Sequence, residues 1–279
     1  MKPKIAIVGA GRWGKNLIKE FEVLADVAKI IRRDNSATDY PAVLADQTVT
    51  AVVVATPIDT HFAIAKQALE AGKHVFLEKP GTASETELAE LISLAESKKL
   101  GLQIGYIFLY HDIFKYLAKE IKTPIKSICC SWEKFGSFGE NILLNLACHE
   151  LAIAHDLLKQ SPTSQGHLYN LPAISAGDLA GITIEYPNET KLVININRIS
   201  TNKQKTVTID DGRALWRWQN DQLWLSTDGQ PYELIYEAKV SALANECAAF
   251  IEMITTNPKI LHGDTALSVH HTLDQLLGR

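Results

Sequence analysis

Lys4-Ile-Ala-Ile-Val-Gly-Ala-Gly-Arg-Trp-Gly14 is the stretch on which the reading of this chain turns. An apolar run leads straight into Gly9, Gly11 and Gly14 in the spacing G-x-G-x-x-G, and an amphipathic segment follows to about Phe21. Each glycine has a task in a strand–turn–helix unit that holds a pyrophosphate. Gly9 permits the tight turn, Gly11 lets backbone come close to phosphate, and Gly14 lets the helix pack on the strand. The helix then offers unpaired N–H groups and its positive dipole end to the phosphates, with Arg12 and Trp13 carried on the turn itself. A bland glycine turn is the competing reading. The strand directly before and the helix directly after favour a dinucleotide.

Composition narrows the field. The chain has 279 residues, 46% hydrophobic and 22% charged, which is comfortable for two globular domains. A formal net charge of -4 leaves no basic footprint for nucleic acid. No apolar run reaches the ~18 residues of a membrane span, and the N-terminus enters a strand without a signal-peptide core, so neither membrane nor export is expected. Cys129, Cys130, Cys148 and Cys247 show no C-x-x-C spacing, and adjacent Cys129 and Cys130 on a strand point to opposite faces. Reduced thiols in a cytoplasmic protein are the simplest reading.

Downstream, Val27–Ile31 reads as a second parallel strand. An acidic residue near its end would bind the ribose hydroxyls of NAD. The chain offers Arg32 and Arg33 instead, and arginine suits a 2′-phosphate, so NADP is favoured with NAD as the alternative. Solvated loop charges are the bland reading of the same pair. A short helical turn over Asp39–Asp46 precedes Ala51-Val-Val-Val-Ala55, an unbroken β-branched run suited to a strand buried on both faces. That run ends in Thr56-Pro57, at the carboxyl end where such sheets bind ligands. A helix from His61 to Ala71 stops at Gly72, and the strand His74–Leu77 ends in Glu78-Lys79-Pro80. Ser84 with Glu87 forms a capping box for a helix to Lys98, and Gly101–Gly105 closes the sheet. From about Ser127 the pattern changes to short alternating runs, with one helix over Asn141–Leu158 and two at the end, Ser241–Thr255 and Thr265–Leu277. The expected fold class is α/β: an N-terminal Rossmann dinucleotide-binding domain over residues 1–120, then an α+β domain with a mostly antiparallel open sheet over 121–279.

Several segments together resemble the glucose–fructose oxidoreductase/inositol dehydrogenase (Gfo/Idh/MocA) family. They are Gly9–Gly14, Ala55-Thr-Pro57 with Thr60-His61, Ala71–Pro80, Gly105–Tyr110, Asn145–His149 and Asn245–Ile251, so the resemblance spans nearly the whole chain. Its most specific element is Glu-Lys-Pro at the end of a strand. The pattern around Phe108 and His149 looks most like members that act on nucleotide-linked sugars. The resemblance implies hydride transfer between a sugar or nucleotide-sugar hydroxyl and a nicotinamide cofactor, in a homo-oligomer. It puts Lys79 and His149 at the reacting carbon, with Asn145 beside them. It also implies that Gly9, Gly11, Arg12, Trp13, Gly14, Thr56, Pro57, His61, Glu78 and Lys79 line the cofactor, with Arg32 and Arg33 at its adenosine end.

Two departures from the family pattern matter. The family commonly has an aspartate four residues before the helix histidine, where this chain has Asn145. Positions i and i+4 of a helix share a face, yet an amide cannot support an imidazolium as a carboxylate can. Between Arg33 and Thr38 the chain also skips a helix and strand that the family usually has. His155, His262, His270 and His271 read as structural or solvated, and no metal-ligand set emerges. Two competing functions stay open: a reductase of another small carbonyl or imine, and a dinucleotide-binding protein without turnover. Trp216, Trp218 and Trp224 carry more aromatic surface than one sheet face leaves in water, so helices or a second copy are expected to cover them.

Overall fold

The structure is a computed structural model that describes residues 2–164, 166–175 and 177–279. The chain divides into two compact units, Met1–Ile107 with Ala242–His270, and Phe108–Ser241 with His271–Arg279. This division differs from a single cut at residue 120. A late helix returns to the first unit because its apolar face is needed there.

The first unit is a parallel sheet of β1 (Lys4–Val8), β2 (Asp26–Ile31), β3 (Ala51–Val54), β4 (His74–Glu78), β5 (Leu102–Gly105) and β14 (Ile260–Leu261), in the order β14-β5-β4-β3-β1-β2. The two-residue β14 was not legible in the sequence; it extends the sheet beyond β5. β3 is buried at all four positions, as a strand covered on both faces must be. Helices α1 (Gly14–Leu24), α2 (Ser36–Ala45), α3 (Ile58–Glu70) and α4 (Glu85–Ser97) connect the strands. Gly72 has φ +77° just past α3, the left-handed stop that the sequence signalled. At α4 the Glu87 N–H donates to Ser84 Oγ, while the Glu87 carboxylate accepts from Ala83 N–H at 3.2 Å, one residue earlier than the usual reciprocal bond. The turn expected at Asp39–Asp46 is a ten-residue helix that begins at Ser36.

α7 (Ala242–Thr256) packs on α1, and together they seal one side of the sheet. Phe21 from α1, Phe76 from β4 and Phe250 from α7 meet edge to face, with centroids 5.6–6.0 Å apart. All three are fully buried. This three-ring contact joins residues 21 and 250 and accounts for the discontinuous unit.

The second unit is an eight-stranded sheet in the order β13-β12-β11-β10-β6-β9-β8-β7. Its strands are β6 (Ser127–Phe135), β7 (His167–Leu171), β8 (Leu179–Glu185), β9 (Lys191–Asn197), β10 (Ile199–Asp210), β11 (Ala214–Gln219), β12 (Gln222–Thr227) and β13 (Glu233–Glu237). All described pairings are antiparallel except β6 with β9. The unit also holds α5 (Asp112–Glu120), α6 (Cys148–Leu158) and the last turns of α8 (Gly263–Leu277). Period-two alternation buries Cys130 and exposes Cys129, as expected of neighbours on a strand. The tryptophans divide between two environments. Trp218, opposite Val207, is 3% exposed and packs against Phe108 and His111, whereas Trp224 pairs with Arg217 on the other face. The helix expected over Asn141–Leu158 opens with a π turn at Leu143–Ala147 before α6 begins.

The aromatic cluster of the first unit predicts a cost. Phe250→Ala should destabilise the folded protein by about 3–5 kcal/mol, the range for an aromatic removed from a tight core. Urea denaturation followed by circular dichroism would read it. A loss below about 1 kcal/mol would mean that α7 is not held by this contact.

Candidate functional site

Backbone crowding fixes the first turn. A Cβ on Gly9, which has φ +103°, would lie 2.3 Å from the Ala55 carbonyl oxygen, and one on Gly14 would lie 2.1 Å from the Gly9 carbonyl oxygen. Gly11 meets nothing within 4 Å. Two glycines are thus demanded by packing, and the third keeps open ground where a phosphate can approach. The N–H groups of Gly11, Arg12 and Trp13 have no backbone partner among the described residues, and α1 begins directly behind them. These observations fit a dinucleotide pyrophosphate.

Trp13 is 39% exposed, and its indole N–H donates to Glu78 Oε1 at 2.5 Å. The bond ties the glycine turn to the end of β4, beside Lys79. Both residues were expected at the cofactor; their direct link was not. Next to them His61 is buried, with Nδ1 2.9 Å from the Gly81 carbonyl oxygen and Nε2 2.8 Å from that of Thr56. A neutral ring carries one N–H and serves one of these carbonyls, whereas an imidazolium serves both. Burial depresses the ring's pKa, so His61 braces the loops after β3 and β4. Thr56 and Pro57 are held in turn by the Thr60 hydroxyl, 2.7 Å from Thr56 Oγ1 and from the Pro57 carbonyl oxygen.

The Lys79–Pro80 peptide is cis. The Pro80 carbonyl accepts from His270 Nε2 at 2.9 Å and from the Tyr106 hydroxyl at 3.4 Å, so the backbone that carries Lys79 is fixed from two sides. Lys79 itself is half-buried. His270 thus has the structural role that its sequence context suggested. Arg32 and Arg33 are exposed at the end of β2; the Arg32 N–H donates to Asn35 Oδ1 at 2.6 Å, and the turn leads directly into α2. No strand or helix intervenes, as the short spacing implied.

Beneath Glu78 lies a second acid. Glu246 on α7 is fully buried, and neither of its carboxyl oxygens has a hydrogen-bond partner among the described residues. Its backbone carbonyl accepts from Gln103 Nε2 at 3.1 Å. Burial raises Glu78 to about 7, against the opposing pull of the Trp13 bond and the Lys79 charge. Burial pushes Glu246 higher still, and the Glu78 charge adds to it. Sequence reading missed Glu246 as part of this site, although a lone glutamate directly before the apolar run Cys247-Ala-Ala-Phe-Ile251 was a visible signal.

In the second unit, His149 is 6% exposed and stands against Phe108 and Trp132, at 5.1 and 5.6 Å between centroids. Asn145 is half-buried and lies within the π turn, so the regular i, i+4 relation expected between it and His149 is altered. Lys205 and Glu150 join the same aromatic cluster and were not anticipated. Among the described residues no group of three or more metal-ligating side chains occurs, and no helix is long and apolar enough to cross a membrane.

A model of the oxidoreductase family with an NAD-binding Rossmann fold, Gfo/Idh/MocA, matches residues 3–106. UDP-N-acetylglucosamine 3-dehydrogenase of Acidithiobacillus ferrooxidans is 37% identical over 108 residues, 39% of this chain and 32% of that protein. Its solved structure superposes with a TM-score of 0.90 at 22% identity, over 98% of this chain and 96% of that one. A mutant of KijD10, a 3-ketoreductase from Actinomadura kijaniata, solved with TDP-benzene and NADP, superposes at 0.86 with 16% identity, over 100% and 98%. At these identities the superpositions show the fold alone. In sequence the matches span 32% and 50% of the first two curated relatives. The match to the Gfo/Idh/MocA oxidoreductase family is thus one of residues 3–106, the part of the chain that carries the glycine turn and Glu78-Lys79.

The two buried acids predict how stability depends on pH. Unfolded glutamates ionise near about 4.3. Both folded-state values are raised, so the stability gained by keeping these carboxyls neutral is whole below the unfolded value. It is lost as pH rises through about 7, the value for Glu78. Glu246→Gln removes one ionising group and the repulsion on the other, so the fall in Tm from pH 5 to pH 8 should be shallower than in the parent. Thermal melts across that range decide; parallel curves would contradict the shared-burial explanation.

Proposed function

We propose that the protein transfers a hydride between a sugar or nucleotide-sugar CH–OH group and a nicotinamide dinucleotide, with NADP preferred over NAD. The observation that carries the reading is the bond from Trp13 on the glycine turn to Glu78, which makes one fixed assembly of the dinucleotide turn and the loop bearing Lys79. The dehydrogenase named above takes a nucleotide-linked sugar, UDP-N-acetylglucosamine, which supports the substrate class. The nicotinamide supplies the hydride chemistry when bound.

The chain's own residues would provide position and proton traffic. Lys79 is proposed to hold the substrate oxygen and His149 to take its proton, since oxidation of an alcohol needs an acceptor as the hydride leaves. Asn145 is proposed as a hydrogen-bonding neighbour that cannot itself receive a proton. Exposed and unpaired among the described residues, the Arg32 and Arg33 side chains suit a 2′-phosphate. We also propose a homo-oligomer, supported by the exposure of Tyr169 and Leu171 on the eight-stranded sheet. The second reading, dinucleotide binding without turnover, draws on Asn145 alone.

Lys79→Ala should abolish turnover on a sugar-nucleotide panel while NADPH affinity, titrated by fluorescence, changes little, because the phosphate cradle is backbone. Full activity in that variant would move the chemistry elsewhere. Arg32→Asp should reverse the cofactor preference by removing a phosphate partner and adding repulsion. Equal binding of NADH and NADPH by the parent would refute the NADP preference.

A further inference from the structure

The second unit buries a lysine where an apolar residue would fit the strand. On β10, Lys205, Val207 and Ile209 alternate onto the inner face of the sheet, opposite Trp132, Cys130 and Ile128 of β6. The Lys205 Nζ lies 3.1 Å from each carboxylate oxygen of Glu150 on α6. Its side chain is 11% exposed and that of Glu150 is 0% exposed. Three rings surround the ammonium: Phe108 at 4.2 Å, Trp218 at 4.9 Å and Trp132 at 5.6 Å from their centroids.

Two of those rings, Phe108 and Trp132, are the ones against which His149 stands, and Glu150 is the next residue on its helix. A buried ion pair pays desolvation on both partners, and an apolar pair of similar volume commonly serves stability as well or better. Its presence beside this imidazole calls for a role in orientation or charge. Several titratable and charged groups face the cluster among the described residues. They are Glu150 on α6, Lys205 on β10, Cys130 on β6, and His111 ahead of α5 with its partner Asp221 at 3.2 Å. Burial depresses the pKa of His111, Asp221 opposes that, and the Lys205 charge depresses it further, so the ammonium is felt by an imidazole that itself packs on Trp218.

We infer that Lys205 is a positioning residue for His149. Clamped by Glu150, it locks the rings that hold the imidazole and keeps a fixed positive charge beside it. The charge favours the neutral, proton-accepting ring. The inference rests on the reading of His149 as the proton acceptor, but its test does not require turnover.

The experiment is an NMR titration of the His149 ring protons, assigned by their loss in His149→Gln, in four forms of the full chain. Lys205→Met keeps the stem, removes the cation and leaves Glu150 unpaired, so the His149 midpoint should rise by about one pH unit. Glu150→Gln keeps the cation alone, so the midpoint should fall. Lys205→Arg keeps the charge and should restore the parental value. If the parent turns over a substrate, the acid limb of its kcat/KM profile should move with these midpoints. Opposite shifts with arginine rescue support the inference even where no substrate is found, in which case only the catalytic reading fails. A His149 midpoint equal to the parent's in whichever charge variants fold would overturn it. A shift of the same sign in Lys205→Met and Glu150→Gln would also overturn it, because a merely loosened structure would produce that.

Discussion

Main-chain crowding at the end of β1 is the constraint from which the first unit follows. The Ala55 carbonyl occupies the place of a Gly9 side chain, and the Gly9 carbonyl occupies that of Gly14. With both sides filled by backbone, the chain must turn sharply, start α1 at once and leave Gly11 facing open space. Trp13 is carried on that turn and reaches Glu78 at the end of β4, across the single intervening strand β3, which couples the glycine turn to the loop of Lys79. That loop is then fixed by His61 from one side and by His270 and Tyr106 from the other.

Electrostatics divides the same way in both units. Each buries an acid where water is excluded: Glu246 beneath Glu78 in the first, and Glu150 in the second. The first acid's carboxyl oxygens have no hydrogen-bond partner among the described residues, and burial together with the Glu78 charge favours its neutral form. The second is paired with Lys205 and boxed by aromatic rings. Burial without a partner moves a proton, whereas burial with one fixes a geometry.

What the sequence made legible was local. The glycine spacing, the β-branched run at Ala51–Val54, the stop at Gly72 and the cap at Ser84 each depend on neighbours within a few residues, and each is present. What it concealed was long-range. The Phe21–Phe76–Phe250 contact joins residues far apart in sequence, so the return of α7 to the first unit could not be read from periodicity. Lys205 lies in a polar run, Asn202-Lys-Gln-Lys205, and only the strand register shows that it points inward with Val207 and Ile209. The π turn at Leu143–Ala147 likewise leaves no mark in an apolar helical pattern. The glycine turn and Glu78-Lys79 were legible because they cluster in short segments; the burial of Glu246 beneath Glu78 and, in the second unit, the pairing of Glu150 with Lys205 were not.

The proposed reaction passes a hydride between a bound nicotinamide and a sugar carbon. It is tested most directly by incubating the protein with NADPH deuterated at the transferable position of the nicotinamide, together with a panel of keto-sugar nucleotides. Mass analysis of the products then reads the transfer. A product heavier by one deuterium at the reduced carbon is the result predicted here. Unlabelled product, or no reduced product across the panel with NADPH tightly bound, would contradict it.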